Sequence, residues 1–498
     1  MRAFLSGAQV WGGAWVRAFL LLGLACSFSV GAEPSRAAAT LFGVISERNS
    51  AVAAQAAERF ADRYPDAKVV LRTPRQLVSL DDGAIRALLQ EADAVLVAGV
   101  FGEDAARVGR LVDAIPDDTR FLAVSAASTL VEQSKARTLG SPSVWETANA
   151  YWQGRGVDNL VNLFAFTAMR GADSSPIPKP VPLPPVRLGP RVGEEGAPLV
   201  VVFDYETGDL AGNIDLHRAV CDALQEQRLA CQSVFADWGA PSADALEEWV
   251  GDRPAAVLML QDFAVGGSDR ERAEAALRAL GVPVIKGIRL NEYDRERWQQ
   301  GSDGLPTASV YYRVAMPELS GASQPLILAV SAAPRLDPIS GIEIRVTAPV
   351  SDEVAALSRR LARWVELQSA ENADKRLALI YYNHPPGRHN IGADNLDVPQ
   401  SLFEILKRLE AEGYSVGELP KSSEALLKAI QARAVNLPEN NAMLRELWEG
   451  GLGHPSGPYR EWFETLPGLT QAELREGPVT RPVSSAITSL GSIPIASI

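Results

Sequence analysis

At 498 residues, 47% of them hydrophobic and 22% charged, the chain exceeds what one hydrophobic core usually serves and predicts about three globular domains. Its formal net charge of −13 argues against a nucleic-acid partner, whose phosphates need clustered Lys and Arg.

The first 32 residues read as an export signal. Arg2 and Arg17 are their only charges, AFLLLGLACSFSV (18–30) is a short apolar core, and VGA (30–32) places small residues before Glu33. This pattern predicts a secretory signal peptide cleaved near Glu33 and a periplasmic or otherwise exported product, the alternative being a cytoplasmic one. The apolar run is too short to leave a stable membrane span. Cys26 would depart with it. Of the remaining cysteines, Cys221 and Cys231 either bridge in an oxidising compartment or serve as two small buried apolar residues.

From Leu41 onward, strand-like and helix-like stretches alternate. TLFGVIS (40–46), AKVVL (67–71), ADAVLVAGV (92–100) and RFLAVSA (120–126) are too apolar to own a solvent face. Between them, residues 49–64, 81–92 and 103–115 repeat apolar side chains every three or four positions. That alternation predicts a parallel sheet covered on both faces. A helical segment at 143–170 completes a first α/β domain, 33–172. Seven prolines in SSPIPKPVPLPPVRLGP (174–190) then predict a semi-rigid linker over 173–197, or a partner motif of polyproline type.

A second α/β domain, 198–370, begins with strand PLVVVFDYE (198–206) and helix AGNIDLHRAVCDALQEQ (211–227). Strands at 229–237, 255–260 and 281–288 follow. A third domain, 371–470, opens with strand KRLALIYYN (375–383) and helix VPQSLFEILKRLEAEGY (398–414). In that helix Leu402, Ile405, Leu406 and Leu409 share a face, Asp397 is placed to cap the start, and Gly413 to close the end. Residues 471–498, with seventeen uncharged residues after Arg481, read as an irregular tail or a truncated end. The expected fold class is therefore α/β, with serial flavodoxin-like parallel-sheet units and a helical insertion.

Several common sites are missing from the sequence. It holds no G-x-x-x-x-G-K-[ST] phosphate cradle, no H-E-x-x-H, no paired C-x-x-C and no G-x-S-x-G elbow. Two of the four histidines lie in NHPPGRHNIG (383–392), the loop leaving the 375–383 strand. His384 and His389, separated by Pro385, Pro386 and Gly387, could form a metal site only through loop geometry. The same loop could face a ligand, since carboxyl ends of strands line the crevice of open α/β sheets. Tyr382, Asn383, His384, Arg388, His389 and Asn390 are the candidates for that role, with Arg388 suited to a carboxylate. A rigid Pro-Gly turn is the third reading. His217, on a helix flank, and His454, in a Gly/Pro loop, read as surface or capping residues, and YDRERW (293–298) as a solvated helix face.

Four segments together resemble one family, the large subunits of cobaltochelatase and magnesium chelatase. LALIYYNHPPGRHNIGADNLDVPQSLFEILKRLEAEGYSVGELP (377–420) is similar to its Tyr-Asn-x-Pro-Pro-Gly-x-x-Asn-Ile-Gly loop and Val-Pro-x-Ser-Leu helix. LAGNIDLHRAVCDALQEQRLACQSVFA (210–236) resembles its Ala-Gly-Asn helix and following strand. YWQGRGVDNLVNLFAF (151–166) resembles a Tyr-Trp-x-x-Gly-Gly-x-x-Asn-Leu segment, with Arg155 replacing the first small residue, and PYREWFETLP (458–467) a later Tyr-x-x-Trp-Phe element. The resemblance implies the N-terminal part of a cobaltochelatase-type large subunit, an ATP-dependent metal-chelating ligase of cobalamin biosynthesis that binds a tetrapyrrole, a corrin precursor. It implies no tightly bound cofactor: cobalt or magnesium and the tetrapyrrole are substrates, and ATP acts through partner AAA+ subunits. No catalytic position carries over, because the family's chelating residues lie mostly beyond the matched part. An exported tetrapyrrole- or metal-chelate-binding module serving cobalamin or metal uptake, without ATP-coupled chelation, is the alternative.

Overall fold

The computed structural model describes residues 39–112, 114–117, 119–137, 142–169, 177–210, 214–251, 253–381 and 395–433, with shorter pieces up to residue 494. They fall into two compact units, the first built chiefly from the chain up to Pro184 together with Ala332–Val346, the second from the remainder.

In the first unit β1 (Thr40–Ile45), β2 (Lys68–Arg72), β3 (Ala94–Ala98) and β4 (Arg120–Val124) form a parallel sheet in the order β2-β1-β3-β4. The connecting helices are α1 (Ser50–Arg63), α2 (Pro74–Ser79), α3 (Asp82–Gln90), α4 (Gly102–Val112), α5 (Ser128–Arg137), α6 (Pro142–Gly154) and α7 (Gly156–Ala168). Leu41, Ile45, Leu71 and Leu96 pack with α1 and α7, whereas Phe42, Val44, Val95 and Val97 pack with α3, α4 and α5. Alternate residues thus serve opposite cores, which is why these strands lack a polar face. Each such side chain contributes about 1.5–3 kcal/mol through burial. Helix starts follow local chemistry: Thr73 and Gln76 form a capping box on α2, and the Asp81 carboxylate accepts from the Ala84 amide on α3.

The YWQGRGVDN segment has a structural job in this unit. The Tyr151 hydroxyl donates to the Pro178 carbonyl at 2.6 Å, and Asn159 pairs with both backbone groups of Val181, at 2.9 and 3.0 Å. These bonds seat the proline-rich segment 178–181 on α6 and α7. Gly154 permits the approach, since a Cβ there would lie 2.3 Å from the Val181 carbonyl oxygen.

The second unit holds a seven-stranded sheet. Its strands are β5 (Val186–Val192), β6 (Leu199–Tyr205), β7 (Ala230–Ala236), β8 (Ala256–Met259), β9 (Val284–Leu290), β10 (Ser323–Ser331) and β11 (Thr347–Pro349), ordered β11-β10-β9-β8-β6-β7-β5. β6 to β10 run parallel in the flavodoxin-like pattern, and β5 and β11 are antiparallel edges. Helices α9 (Ala240–Gly251) and α10 (Arg270–Leu280) cover one face; α8 (Ile214–Glu226) and α12 (Ser351–Ser369) cover the other, with α11 (Arg295–Gln300) between β9 and β10. Cys221 and Cys231, on α8 and β7, form a disulfide with Cα atoms 5.3 Å apart.

The serial α/β architecture is as expected, with three departures in detail. First, part of the proline-rich 173–197 segment is not a linker: 186–192 is edge strand β5. Gly189 and Pro190 sit at its register shift, where the missing ladder donor is tolerated. Second, Ala332–Val346 lies inside the expected second domain but packs in the first unit, with Ile342 and Ile344 in the α1 core and the Arg345 amide donating to Ser50 Oγ at 2.9 Å. Third, residues 376–380 form no sheet ladder, and Ile380 is 95% exposed. An apolar run becomes a strand only where neighbouring strands accept its backbone bonds. Beyond it, α13 (Val398–Ala411) is capped by Asp397 and packs on α14 (Ser423–Arg433) through Leu402, Leu426 and Ile430. Ile405, expected on the packed face, remains exposed.

Replacing Gly154 with Ala should therefore lower the first unit's stability by about 1–3 kcal/mol, the usual range for overpacking. Limited proteolysis should show earlier cleavage at 177–184; a cleavage pattern and melting curve like the native protein's would rule out this seating.

Candidate functional site

Two strands flank β6 in space, and the chain reaches β7 on one side and β8 on the other. Connections leaving the carboxyl ends of β6 and β8 therefore diverge, the point at which open α/β sheets bind ligands. A dense cluster of charged side chains occupies this end of the sheet.

Asp204, at the end of β6, is fully buried. Arg289 on β9 binds it through both terminal guanidinium nitrogens, Nη1 to Oδ1 at 3.0 Å and Nη2 to Oδ2. Register explains how strands that are not neighbours meet: β8 ends at Met259, paired with Phe203 and Lys286, so Asp204 and Arg289 meet across its end. His217 on α8 places Nε2 2.8 Å from Asp204 Oδ2 and Nδ1 2.8 Å from Ser233 Oγ on β7. The carboxylate fixes the tautomer: Nε2–H donates to Asp204, and the Ser233 hydroxyl donates to Nδ1. Burial alone would raise the Asp204 pKa; the Arg289 charge, with hydrogen bonds from His217 and Arg289, holds it well below the usual carboxylate range. Burial likewise disfavours charge on Arg289, and Asp204 more than restores it.

A second group continues the cluster along β9. Lys286 is fully buried, with Nζ 3.0 Å from Asp262 Oδ1 and 2.8 Å from the Gly287 carbonyl. Burial pushes its pKa below that of an ordinary lysine, and Asp262 offsets this only in part. Gly287 has no side chain because a Cβ would lie 2.6 Å from Leu260 and 2.8 Å from Leu328. Arg313 donates to Glu292 at 2.8 Å and lies 3.7 Å from Asp262. It stands in a π-helical turn, Tyr311–Ala315. The buried Nε atoms of Arg289 and Arg313 have no hydrogen-bond partner. Gln261 ties three elements together, its amide nitrogen lying 3.2 Å from the Asp204 carbonyl, 3.0 Å from the Ala236 carbonyl and 3.0 Å from Ser242 Oγ and sharing its two N–H donors among them.

The Ser233–His217–Asp204 connectivity is that of a hydrolytic relay, but it cannot act as one. Ser233 is buried in the middle of β7, and both oxygens of Asp204 also serve Arg289. The arrangement fixes Arg289 in place. Among the described residues, no group of three His, Cys, Asp or Glu side chains could hold a metal ion. Nor is any helix among them long and apolar enough to cross a membrane.

The six residues expected from sequence to face a ligand, Tyr382, Asn383, His384, Arg388, His389 and Asn390, lie outside the described residues. Their neighbour Tyr381 is partly buried against the α13 and α14 cluster. His217, expected at a surface or cap, is instead in the buried network, because its helix turns it toward Asp204. A sequence signal for this site existed: Asp204, Lys286 and Arg289 interrupt strands that are otherwise apolar.

Residues 149–494 match the family model described as CobN/Magnesium Chelatase. The chain is 30% identical over 250 residues to the chloroplastic magnesium-chelatase subunit ChlH of Oryza sativa subsp. indica, covering 48% of this chain and 17% of that protein. It is 27% identical over 293 residues to the aerobic cobaltochelatase subunit CobN of Sinorhizobium sp, covering 57% of this chain and 22% of that one. In structure it is similar to the catalytic subunit of cobaltochelatase from Mycobacterium tuberculosis, with a TM-score of 0.61 and 22% identity, over 89% of this chain and 36% of that chain. This likeness establishes the fold. The chain thus spans less than a quarter of the length of these two curated relatives.

Asp204→Asn should cost about 3–5 kcal/mol, because Arg289 would stay buried without its counter-charge. With its folded pKa depressed, Asp204 contributes fully above about pH 4 and loses that contribution only as pH falls further. Urea denaturation at pH 7 and in acid measures both; a variant as stable as the native protein at pH 7 would refute the role given to this pair.

Proposed function

Because the chain belongs to the CobN/magnesium chelatase family, we propose that it acts as the N-terminal part of a cobaltochelatase-type large subunit. In this reading it holds a tetrapyrrole, a corrin precursor, for insertion of a divalent metal, cobalt. The observation carrying the proposal is the family match over 149–494, which runs through the NHPPGRHNIG loop. Insertion exchanges ring N–H protons for the metal, one for a corrin and two for a porphyrin, so the protein's task is to hold the macrocycle while leaving the metal exchangeable. Arg388 pairs with a peripheral carboxylate, Tyr381 or Tyr382 stacks on the ring, and the backbones of Gly387 and Gly392 approach it closely. His384 or His389 adds transient axial ligation, since neutral imidazole suits cobalt. ATP hydrolysis falls to separate AAA+ subunits, consistent with a sequence that carries no phosphate cradle.

Spectrophotometric titration of the full chain with a corrin and a porphyrin tests this. Arg388→Ala should weaken binding by about 1–3 kcal/mol, the loss of one charged hydrogen bond, and the His384→Ala/His389→Ala pair by less. Absence of any spectral shift with the native chain would sink the proposal.

A second reading has its own support. The signal-like residues 1–32 and the Cys221–Cys231 disulfide both suit an oxidising compartment, and so an exported tetrapyrrole- or metal-chelate-binding module that works without ATP. The two cysteines are 10 residues apart, so the bridge should contribute about 2–3 kcal/mol by loop closure. N-terminal sequencing of fractionated cells, with a thiol count, decides: a periplasmic chain starting near Glu33 with no free thiol supports export. Intact Met1 in the cytosol with both thiols free removes it.

A further inference from the structure

Three aromatic side chains stand in a row at the carboxyl edge of the second sheet; Trp238 and Phe263 lie outside the charged network, and Tyr312 borders it through Glu292 and Arg313. Trp238 follows β7, Phe263 follows β8, and Tyr312 lies in the π-helical turn after β9. Ring centroids of Trp238 and Phe263 are 6.0 Å apart; those of Phe263 and Tyr312 are 5.2 Å apart with planes inclined by 23°. Trp238 is 45% exposed and Phe263 41% exposed, at the end of the sheet where ligands bind in this class of fold.

This exposure is held in place at a cost. Phe263 has φ of 63°, the left-handed region that a bulky residue adopts only under constraint. Its amide donates to the Tyr312 carbonyl at 2.6 Å, and the Trp238 indole donates to the Ala264 carbonyl at 3.0 Å. A buried aromatic core needs neither the strained backbone nor the open faces. Beside the row, Arg313 lies 5.2 Å from the Tyr312 ring centroid, with only 6% of its side chain exposed, its Nη1 bound to Glu292 and its Nε facing Asp262 at 3.7 Å, beyond hydrogen-bond distance. The row therefore joins flat apolar faces to a cation whose carboxylate partner Glu292 is itself partly exposed.

We infer that Trp238, Phe263 and Tyr312 form a stacking platform for the face of a flat, conjugated, carboxylate-bearing ring ligand. Resting on the function proposed above, that ligand is the tetrapyrrole. The platform is a binding surface distinct in sequence from the 382–390 loop, and Arg313 gives it a cationic end once the ligand's carboxylate takes the place of Glu292. Stacking on offset or tilted aromatic faces favours an extended π-system over an aliphatic or purely polar ligand.

Phe263→Gly separates a ligand role from a structural one, because glycine adopts positive φ freely and the fold should be at least as stable without the ring. Trp238→Leu keeps the apolar bulk but removes the flat face. With the full chain and deuteroporphyrin IX as probe, each variant should bind about tenfold more weakly by absorbance titration, with circular dichroism unchanged. If the native chain binds the porphyrin and both variants bind it equally well, the platform is wrong while the tetrapyrrole reading stands. If the native chain binds neither the porphyrin nor a corrin, that reading fails and takes this assignment with it.

Discussion

The second unit depends on one buried ion pair, Asp204 with Arg289. Taking two charges out of water costs several kcal/mol each, and a single contact would not recover that. Here the carboxylate receives a two-pronged guanidinium and the His217 imidazole, so its oxygens are well satisfied. The pair closes over the end of β8 and joins β6 to β9, while His217 and Ser233 extend it to α8 and β7. One carboxylate thereby sets where four elements stand at the carboxyl end of the sheet. The disulfide between α8 and β7 ties two of those same elements together covalently.

Much of this architecture was legible in the sequence, because buried parallel strands and two-sided helical packing leave unambiguous patterns. Continuous apolar runs at 40–46, 92–100 and 198–206 could belong only to strands covered on both faces, and there they are. Strand β5 was hidden because prolines in its sequence argue against a sheet, and only an edge position with a register shift reconciles them. Residues 376–380 misled in the other direction: their composition suits a strand, but composition cannot show whether partners are present. The Ala332–Val346 excursion left no trace in periodicity, since its attachment to the first unit relies on Ile342, Ile344 and a few side chain–backbone hydrogen bonds between residues far apart in sequence.

The charged network shows a different kind of limit. Asp204, Lys286 and Arg289 each break an apolar strand, a signal that something must neutralise them. Which residue answers which is a matter of register, and register is a property of the sheet and not of any one segment. His217 illustrates the point: in a helix with polar neighbours it reads as a surface residue, and only the placement of α8 over the sheet end brings it to Asp204. Family motifs divide similarly. Gly154 and Asn159 in the 151–166 segment are explained by the seating of a proline-rich segment and need no ligand to account for them.

Charge balance then decides which part of the cluster can respond to a ligand. Asp204, Asp262 and Glu292 face Lys286, Arg289 and Arg313, three carboxylates against three cations, so an incoming anion must displace a resident one. Asp204 is sealed, with none of its side chain exposed, and bound on both oxygens; releasing it would strand Arg289. Glu292, with 36% of its side chain exposed, is rehydrated readily on leaving Arg313, and Asp262 at 24% comes next. The deep half of the network is therefore a fixed frame, and its Arg313 end, next to the exposed aromatic row, is where exchange costs least.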